Sequence, residues 1–488
     1  MHTTLYAYYH PQKTPCFPRE PAANPPPKGG HPKPAAPTAG QLLAAFRRLL
    51  PDRQVWKLAT QQKGRFYNRL FTPIVTLWYL LFQRLGSDHT LEKVLSDAHG
   101  GGADGLRPGL SQELRSTATT SYSDARQRLP LAFLWQCLKI QARRIVSLNP
   151  KALWHGWVLC LLDGSTVRLR PYGDIPKRFP PNGNQTHNGS YWCLMRVVVG
   201  FCARTGTALD CARGSFFRSE QLLACRMMLR RALGACLYIG DRNFGVLRIV
   251  QTARAVGSHV LVRLTECRAR KLLGRALHPG EYPLLWSPTS HDQLQPGCPK
   301  CAIAGRLLVV VIRPKGYRCQ TLYLFTTLTD PVEYPAQELV DLYGLRWHIE
   351  LNLRYLKTQM RLVQLECKSA QMAQKECLAA LMAYNLVRAA MLCAALHKGI
   401  RPLALSFSLS RRHLESWLAH FGAGAKSQKR WHGLLRSIGQ ARLPRRRKAR
   451  PVEPRAQRHL RQPYPPLIGS RQKARQALKR TLKCTTKS

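Results

Sequence analysis

Val158-Leu-Cys-Leu-Leu-Asp163-Gly-Ser-Thr166 is the stretch that decides the fold of this 488-residue chain. Five consecutive apolar residues read as a strand buried on both faces. The strand is expected to end at Asp163, where Gly164, Ser165 and Thr166 follow. Cys236-Leu-Tyr-Ile-Gly240 is a second buried run, and it ends at another acid in Asp241-Arg-Asn-Phe-Gly245. Two acids at the ends of buried strands are parts of a site rather than of a core.

The order of elements around these two runs is informative. Strands near 191–202 and 207–215 meet at the turn Thr205-Gly206, and Ser219 caps a helix to about Leu233. Beyond Asp241, a helix from Gly245 to Ala255 leads to a strand over His259–Leu264. Three strands followed by alternating helix and strand predict an α/β fold, a ribonuclease-H-like mixed sheet with helices on both sides. In that arrangement the first and fourth strands are neighbours, which brings Asp163 and Asp241 together.

A third acid lies on a helix. Tyr343-Gly-Leu-Arg346-Trp-His-Ile-Glu350-Leu-Asn-Leu-Arg354-Tyr-Leu-Lys357 spaces Tyr, Arg, Glu and Lys by three, four and seven, steps that share one helical face. Leu342, Leu345, Ile349, Leu353, Leu356 and Met360 form a second, apolar face. A helix anchored by one face and presenting Tyr343, Arg346, Glu350, Arg354 and Lys357 on the other is built to meet a ligand. Lys and Arg outnumber Asp and Glu by 76 to 25, a formal charge of +51, so the ligand is a polyanion. A phosphate-binding face gains nothing from a carboxylate unless the carboxylate holds a metal ion. Mg²⁺ prefers oxygen ligands, and two such ions ~4 Å apart clamp the attacking and leaving oxygens of a phosphodiester displacement.

These residues resemble those of a known family. Asp163, Asp241 and Glu350 look like the DDE triad of bacterial insertion-sequence transposases. Tyr343, Arg346, Glu350 and Lys357 match the Tyr-x2-Arg-x3-Glu-x6-Lys signature of the group named after insertion sequence 4. The resemblance runs through roughly 43–400 and is weak in the tails. It implies a DNA transposase that cleaves at element ends and transfers the freed strand to target DNA. It also implies two Mg²⁺ ions (or Mn²⁺ in their place) on the three acids and a homodimer pairing two double-stranded DNA ends. Arg346, Lys357 and Tyr343 would contact phosphates at the element's end. Arg354 lies on the same face outside the signature, and Arg242 stands beside a metal ligand. Two other readings stay open here: a metal-dependent DNA nuclease on the same fold, and a catalytically decayed DNA-binding relic.

The remaining chain is organised around that core. Residues 1–40 read as a disordered Pro-rich leader, and 41–150 as an N-terminal helical, DNA-end-binding domain or a bundle that packs on the core. The core occupies 151–266 and, with the Glu350 helix, 335–400. Leu307–Ile312 and Thr321–Thr327 look like strands of a β-rich insertion at 267–334, where related transposases carry one. Residues 401–488 form a helical and basic C-terminal region, including Arg445-Arg-Arg-Lys. The apolar runs near Ile74–Phe82 and Leu307–Ile312 are shorter than the ~20 residues of a membrane span, so no membrane partner is expected. Sixteen Cys without a short secreted framework predict reduced thiols in a cytosol, and the resemblance implies a bacterial cytoplasm with the protein on the nucleoid.

Several other features carry no chemistry. His348 and His187 read as packed or solvent-facing. Cys298-Pro-Lys-Cys301 holds half of a zinc-site spacing, with no second pair close by. Cys160, Cys193, Cys202 and Cys236, with Trp154, Trp157 and Trp192, read as core. Some relatives use an insertion-domain Trp to hold a flipped base; Leu322-Tyr-Leu-Phe325 has none, which leaves Tyr323 or Trp286 to stack.

Overall fold

The alternation of apolar residues in the central strands sets up a sheet with two buried faces. A computed structural model describes residues 6–7, 47, 49–61, 69–149, 151–181, 192–230, 234–293, 301–312, 320–421, 428–443 and 469–484. Nearly all of the Pro-rich leader, most of the basic tail, His187 and Cys298 lie outside those residues.

The central strands are β1 (Trp157–Leu169), β2 (Cys193–Cys202), β3 (Ala208–Ser215), β4 (Cys236–Gly240) and β5 (His259–Leu264). Three more follow: β6 (Gly280–Trp286), β7 (Ile303–Ile312) and β8 (Gln320–Thr326). The order across the sheet is β7-β8-β5-β4-β1-β2-β3, with β6 paired to the outer side of β7. β1, β2 and β3 run antiparallel, while β1, β4 and β5 run parallel. That is the ribonuclease-H-like arrangement. The segment read as a β-rich insertion contributes β6, β7 and β8. β8 pairs antiparallel with β5, so these strands continue the core sheet.

β1 does not end at Asp163. It continues to Leu169 because Asp163–Leu169 pairs residue by residue with β2, from Asp163↔Val199 to Leu169↔Cys193. The Gly-Ser-Thr run that looks like a turn is therefore held extended by its partner strand, a tertiary override of local preference.

Alternation along each strand sends Leu159, Leu161, Leu237, Ile239 and Leu261 to one face, and Cys160, Leu162, Cys236, Tyr238, Val260 and Val262 to the other. The second face is covered by α6 (Glu220–Leu229) and α7 (Leu247–Ala255). The first is covered by the N-terminal helices α1 (Asp52–Gln61), α2 (Pro73–Leu85), α3 (Leu91–His99), α4 (Thr120–Arg128) and α5 (Leu131–Ser147). After α8 (Glu266–Leu273), the helices α9 (Ala336–Gly344), α10 (Trp347–Thr358) and α11 (Ala370–Lys398) join that first face. α12 (Phe407–Phe421) and α13 (Gln428–Gln440) pack beside α11, and α14 (Arg471–Cys484) is a basic helix near the end of the chain. Each buried Val, Leu or Ile stabilises by roughly 1.5–3 kcal/mol. α11 is long and apolar enough to cross a bilayer, but 94% of its most apolar window is buried inside the protein.

Tyr343 to Lys357 is not one continuous helix. α9 ends at Gly344 and α10 begins at Trp347. Between them the chain tightens into i→i+3 bonds, with Arg346 N donating to Tyr343 O and Ile349 N to Arg346 O, each at 3.0 Å. The apolar face survives the change of winding: Leu342, Leu345, Ile349, Leu353, Leu356 and Met360 are all buried.

Candidate active site

Strand register places the first two acids. β1 and β4 are parallel, with Val158↔Cys236 and Leu161↔Ile239 as partners. Two residues further on, Asp163 comes level with Asp241, which lies one residue beyond the end of β4. The Asp241 carboxylate accepts from the Asn243 backbone N–H at 2.9 Å, and Phe244 N donates to Asp241 O at 3.0 Å, closing a tight turn. Buried Phe244 seats that turn. Gly245 is required there, since a Cβ would come within 2.3 Å of Arg263 O.

Asp163 accepts from the Gly164 N–H at 2.8 Å. Burial pushes its carboxyl up to about 6. The Gly164 N–H opposes that rise, Asp241 adds to it, Arg346 opposes it and Glu220 adds to it. Asp163 therefore faces two other carboxylates and one guanidinium.

That guanidinium is the centre of the site. Arg346 Nη2 meets Glu350 Oε1 at 3.2 Å, with the Arg346 side chain 19% exposed and that of Glu350 49% exposed. Burial works against the charge of Arg346, but Tyr343, Glu350, Asp241 and Asp163 more than restore it. Tyr343 is itself buried, and its phenol, raised by burial, bonds to Arg346 rather than facing solvent. Arg354 is exposed and Lys357 half-buried, one and two turns beyond Glu350 on α10. Arg242 is exposed beside Asp241.

The structure thus brings Asp163, Asp241, Arg346, Tyr343 and Glu350 into one electrostatic group. Glu350 is turned to Arg346, and no three acids, His or Cys among the described residues stand close enough together to hold an ion as they are. The chemistry of the group nevertheless suits a divalent cation. A positive charge already stands among three carboxylates, and every anionic donor is an oxygen.

Other residues resolve more simply. Burial and then Arg388 push His348 down to about 4, as for a packed imidazole. Tyr323 is half-buried in β8, and Trp286, buried edge-on to Phe325 at 4.9 Å, presents no free face. Trp347 does: it is 53% exposed, with the Arg346 guanidinium 5.8 Å from its ring. Glu220 and Asn243 escape a reading of the sequence. Glu220 looks like an ordinary acid in the first turn of a capped helix, and the one available signal is its place directly after the third strand.

The chain is similar to known proteins. The family described as Transposase DDE domain matches residues 154–386, which include all three acids. The chain is 28% identical over 303 residues to the transposase InsG for insertion sequence element IS4 of Escherichia coli (strain K12). That match covers 60% of this chain and 66% of the relative. It is also similar to the solved piggyBac transposase synaptic complex with hairpin DNA, at 10% identity and a TM-score of 0.38, covering 81% of this chain and 85% of that one.

Proposed function

We propose that this chain is a DDE transposase of the insertion sequence 4 group, one that cuts DNA at the ends of a mobile element and joins them to a target. The family implies DNA binding, phosphodiester cleavage with strand transfer, and a divalent metal ion. The observation that carries the reading is the parallel register that sets Asp163 level with Asp241, beside the Arg346–Glu350 pair.

Asp163, Asp241 and Glu350 would hold two Mg²⁺ ions, for which Mn²⁺ can substitute. When bound, the ions supply activation of the attacking oxygen and charge neutralisation at the leaving oxygen. The chain's own residues do the rest. Asp163, raised only to about 6, is largely ionised near neutral pH and would serve as a donor, and Glu350 would turn from Arg346 toward the two aspartates. Arg346, released from Glu350, is placed to pair with a DNA phosphate. Tyr343 orients Arg346 from the buried side, while Lys357, Arg354 and Arg242 extend a basic rim along the duplex. After the first cut, the freed 3′-hydroxyl attacks the target strand in the same site, so no covalent enzyme intermediate is needed. The N-terminal helices and the basic C-terminal region would add phosphate contacts, and two protomers would pair the two element ends. Such a protein works at the bacterial nucleoid.

Asp163→Asn, Asp241→Asn and Glu350→Gln test the assignment on labelled end DNA. Each amide keeps the shape and loses the charge, so cleavage in Mg²⁺ should fall to near zero while end binding stays within about threefold, since phosphate contacts supply most of it. A variant that cleaves at the wild-type rate removes its residue from the site. Cleaved ends that never join to target DNA would instead make the protein a nuclease.

A further inference from the structure

Gly164, the residue after Asp163, has no room for a side chain. A Cβ there would lie 2.2 Å from Glu220 Cδ and 2.3 Å from its Oε1. The Glu220 carboxylate therefore rests on the β1 backbone at Gly164, the residue next to Asp163. Its partner is neutral: Asn243 Nδ2 donates to Glu220 Oε2 at 2.7 Å. Asn243 also donates its backbone N–H to Asp241 at 2.9 Å, so one residue ties Glu220 to the second aspartate's turn. No ion pair to Lys, Arg or His is found for Glu220 among the described residues, in a chain where bases outnumber acids threefold.

Resting on the reading above, we propose that Glu220 is a fourth carboxylate donor for the divalent ion beside Asp163, reaching it across the gap that Gly164 leaves. Ser219 caps α6 by accepting from Leu222 N at 3.2 Å, which fixes the Glu220 backbone at the helix start. Among the described residues the side chain is held by Asn243 and the Gly164 surface, so it turns toward the ion without disturbing a fold contact. An acid at a helix start is ordinarily explained by the helix dipole. That account gives no reason for the carboxylate to sit against Gly164, one residue from Asp163 and tied through Asn243 to the turn of Asp241. A cation between the Glu220 and Asp163 carboxylates does.

The test is direct Mn²⁺ binding to the full-length protein without DNA, by titration calorimetry and by the Mn²⁺ electron spin resonance signal. Glu220→Gln keeps the side chain's size and its oxygen toward Asn243. It should weaken Mn²⁺ binding by roughly tenfold or more, in the range seen when a metal site loses a supporting carboxylate, with no loss of melting temperature in metal-free buffer. Gly164→Ala should weaken binding in the same direction, because its methyl displaces the Glu220 carboxylate without removing any acid. Wild-type Mn²⁺ affinity in Glu220→Gln, with affinity lost in Asp163→Asn, overturns the role of Glu220 and leaves the three-acid site standing. Wild-type affinity in both variants overturns the three-acid site and Glu220 with it.

Discussion

Arg346 is the residue on which the site turns, because it stands where opposing demands meet. It pairs with Glu350, feels Asp163 and Asp241, and is backed by Tyr343. Lys357 lies on the same helix with none of those acids as a bonded neighbour. The two basic signature residues should therefore separate on mutation. Lys357→Ala should weaken binding of element ends by roughly tenfold to a hundredfold, the worth of one charge-assisted hydrogen bond, and leave the melting temperature unchanged. Arg346→Ala should weaken end binding by a similar factor and also change the metal-free protein, since three carboxylates lose their common cation. Equal melting temperatures for wild type and Arg346→Ala in chelator would show that the guanidinium does not neutralise the acids. Asp163 and Asp241 stand out in the sequence as acids that follow buried apolar runs, and Arg346, Glu350 and Lys357 as residues at fixed helical steps, although β1 runs on past Asp163 to Leu169. Glu220 was not legible: a glutamate after a capping serine is what any helix start looks like, and only the missing Cβ of Gly164 marks it.

Among the elements, β1 and α10 show what a sequence pattern transmits and what it hides. The five apolar residues of β1 announce a buried strand, and the acid after them announces the site. Its seven-residue continuation is invisible locally, since pairing with β2 holds Gly164, Ser165 and Thr166 extended. The apolar stripe of α9 and α10 was legible for the same reason as β1, but the tightening at Gly344–Arg346 was not, because right-handed 3₁₀ and α turns share nearly the same spacing. A polar chain fixes α10 in place: Tyr384 donates to Gly206 O at 2.8 Å, Arg388 to the Tyr384 hydroxyl at 2.8 Å, and Arg388 to Asn352 Oδ1 at 2.6 Å. A second polar group fastens the N-terminal helices. Glu376 of α11 pairs with Arg84 of α2 and Arg126 of α4, all three side chains being no more than 13% exposed. Burial alone would raise the Glu376 carboxyl, yet the two guanidinium groups hold it below its ordinary range. Glu376→Gln should destabilise the protein by about 3–5 kcal/mol, because it strands two buried cations. A loss under about 1 kcal/mol in denaturant titration, the level of a surface pair, would mean that water reaches the cluster.

For the molecule as a whole, one interior runs from the N-terminal helices through the sheet face to α13, so the helices before residue 150 are part of the body that carries the acids. Their attachment should make the protein sensitive to acid through one histidine. His89 lies at the junction of α2 and α3, and its Nε2 meets Gly86 O at 2.9 Å. Burial and then Arg84 push His89 down to about 4, against a bond to Gly86 O that favours the proton; Arg361 lowers it further and Glu376 raises it. The folded pKa is depressed below the unfolded value of 6.5. Between these two values the unfolded chain binds a proton that the folded chain refuses, so stability falls as pH drops from about 6.5 to about 4 and this contribution then levels off. Above 6.5 the group contributes no pH dependence. His89→Gln keeps a donor for Gly86 O and removes the titration. Its melting temperature should therefore change relative to wild type in one direction only, gaining on it progressively from pH 7 down to pH 4. Parallel melting curves for the two proteins across that interval would show that His89 is protonated in the folded state, and that the junction between the N-terminal helices and the core is open to solvent.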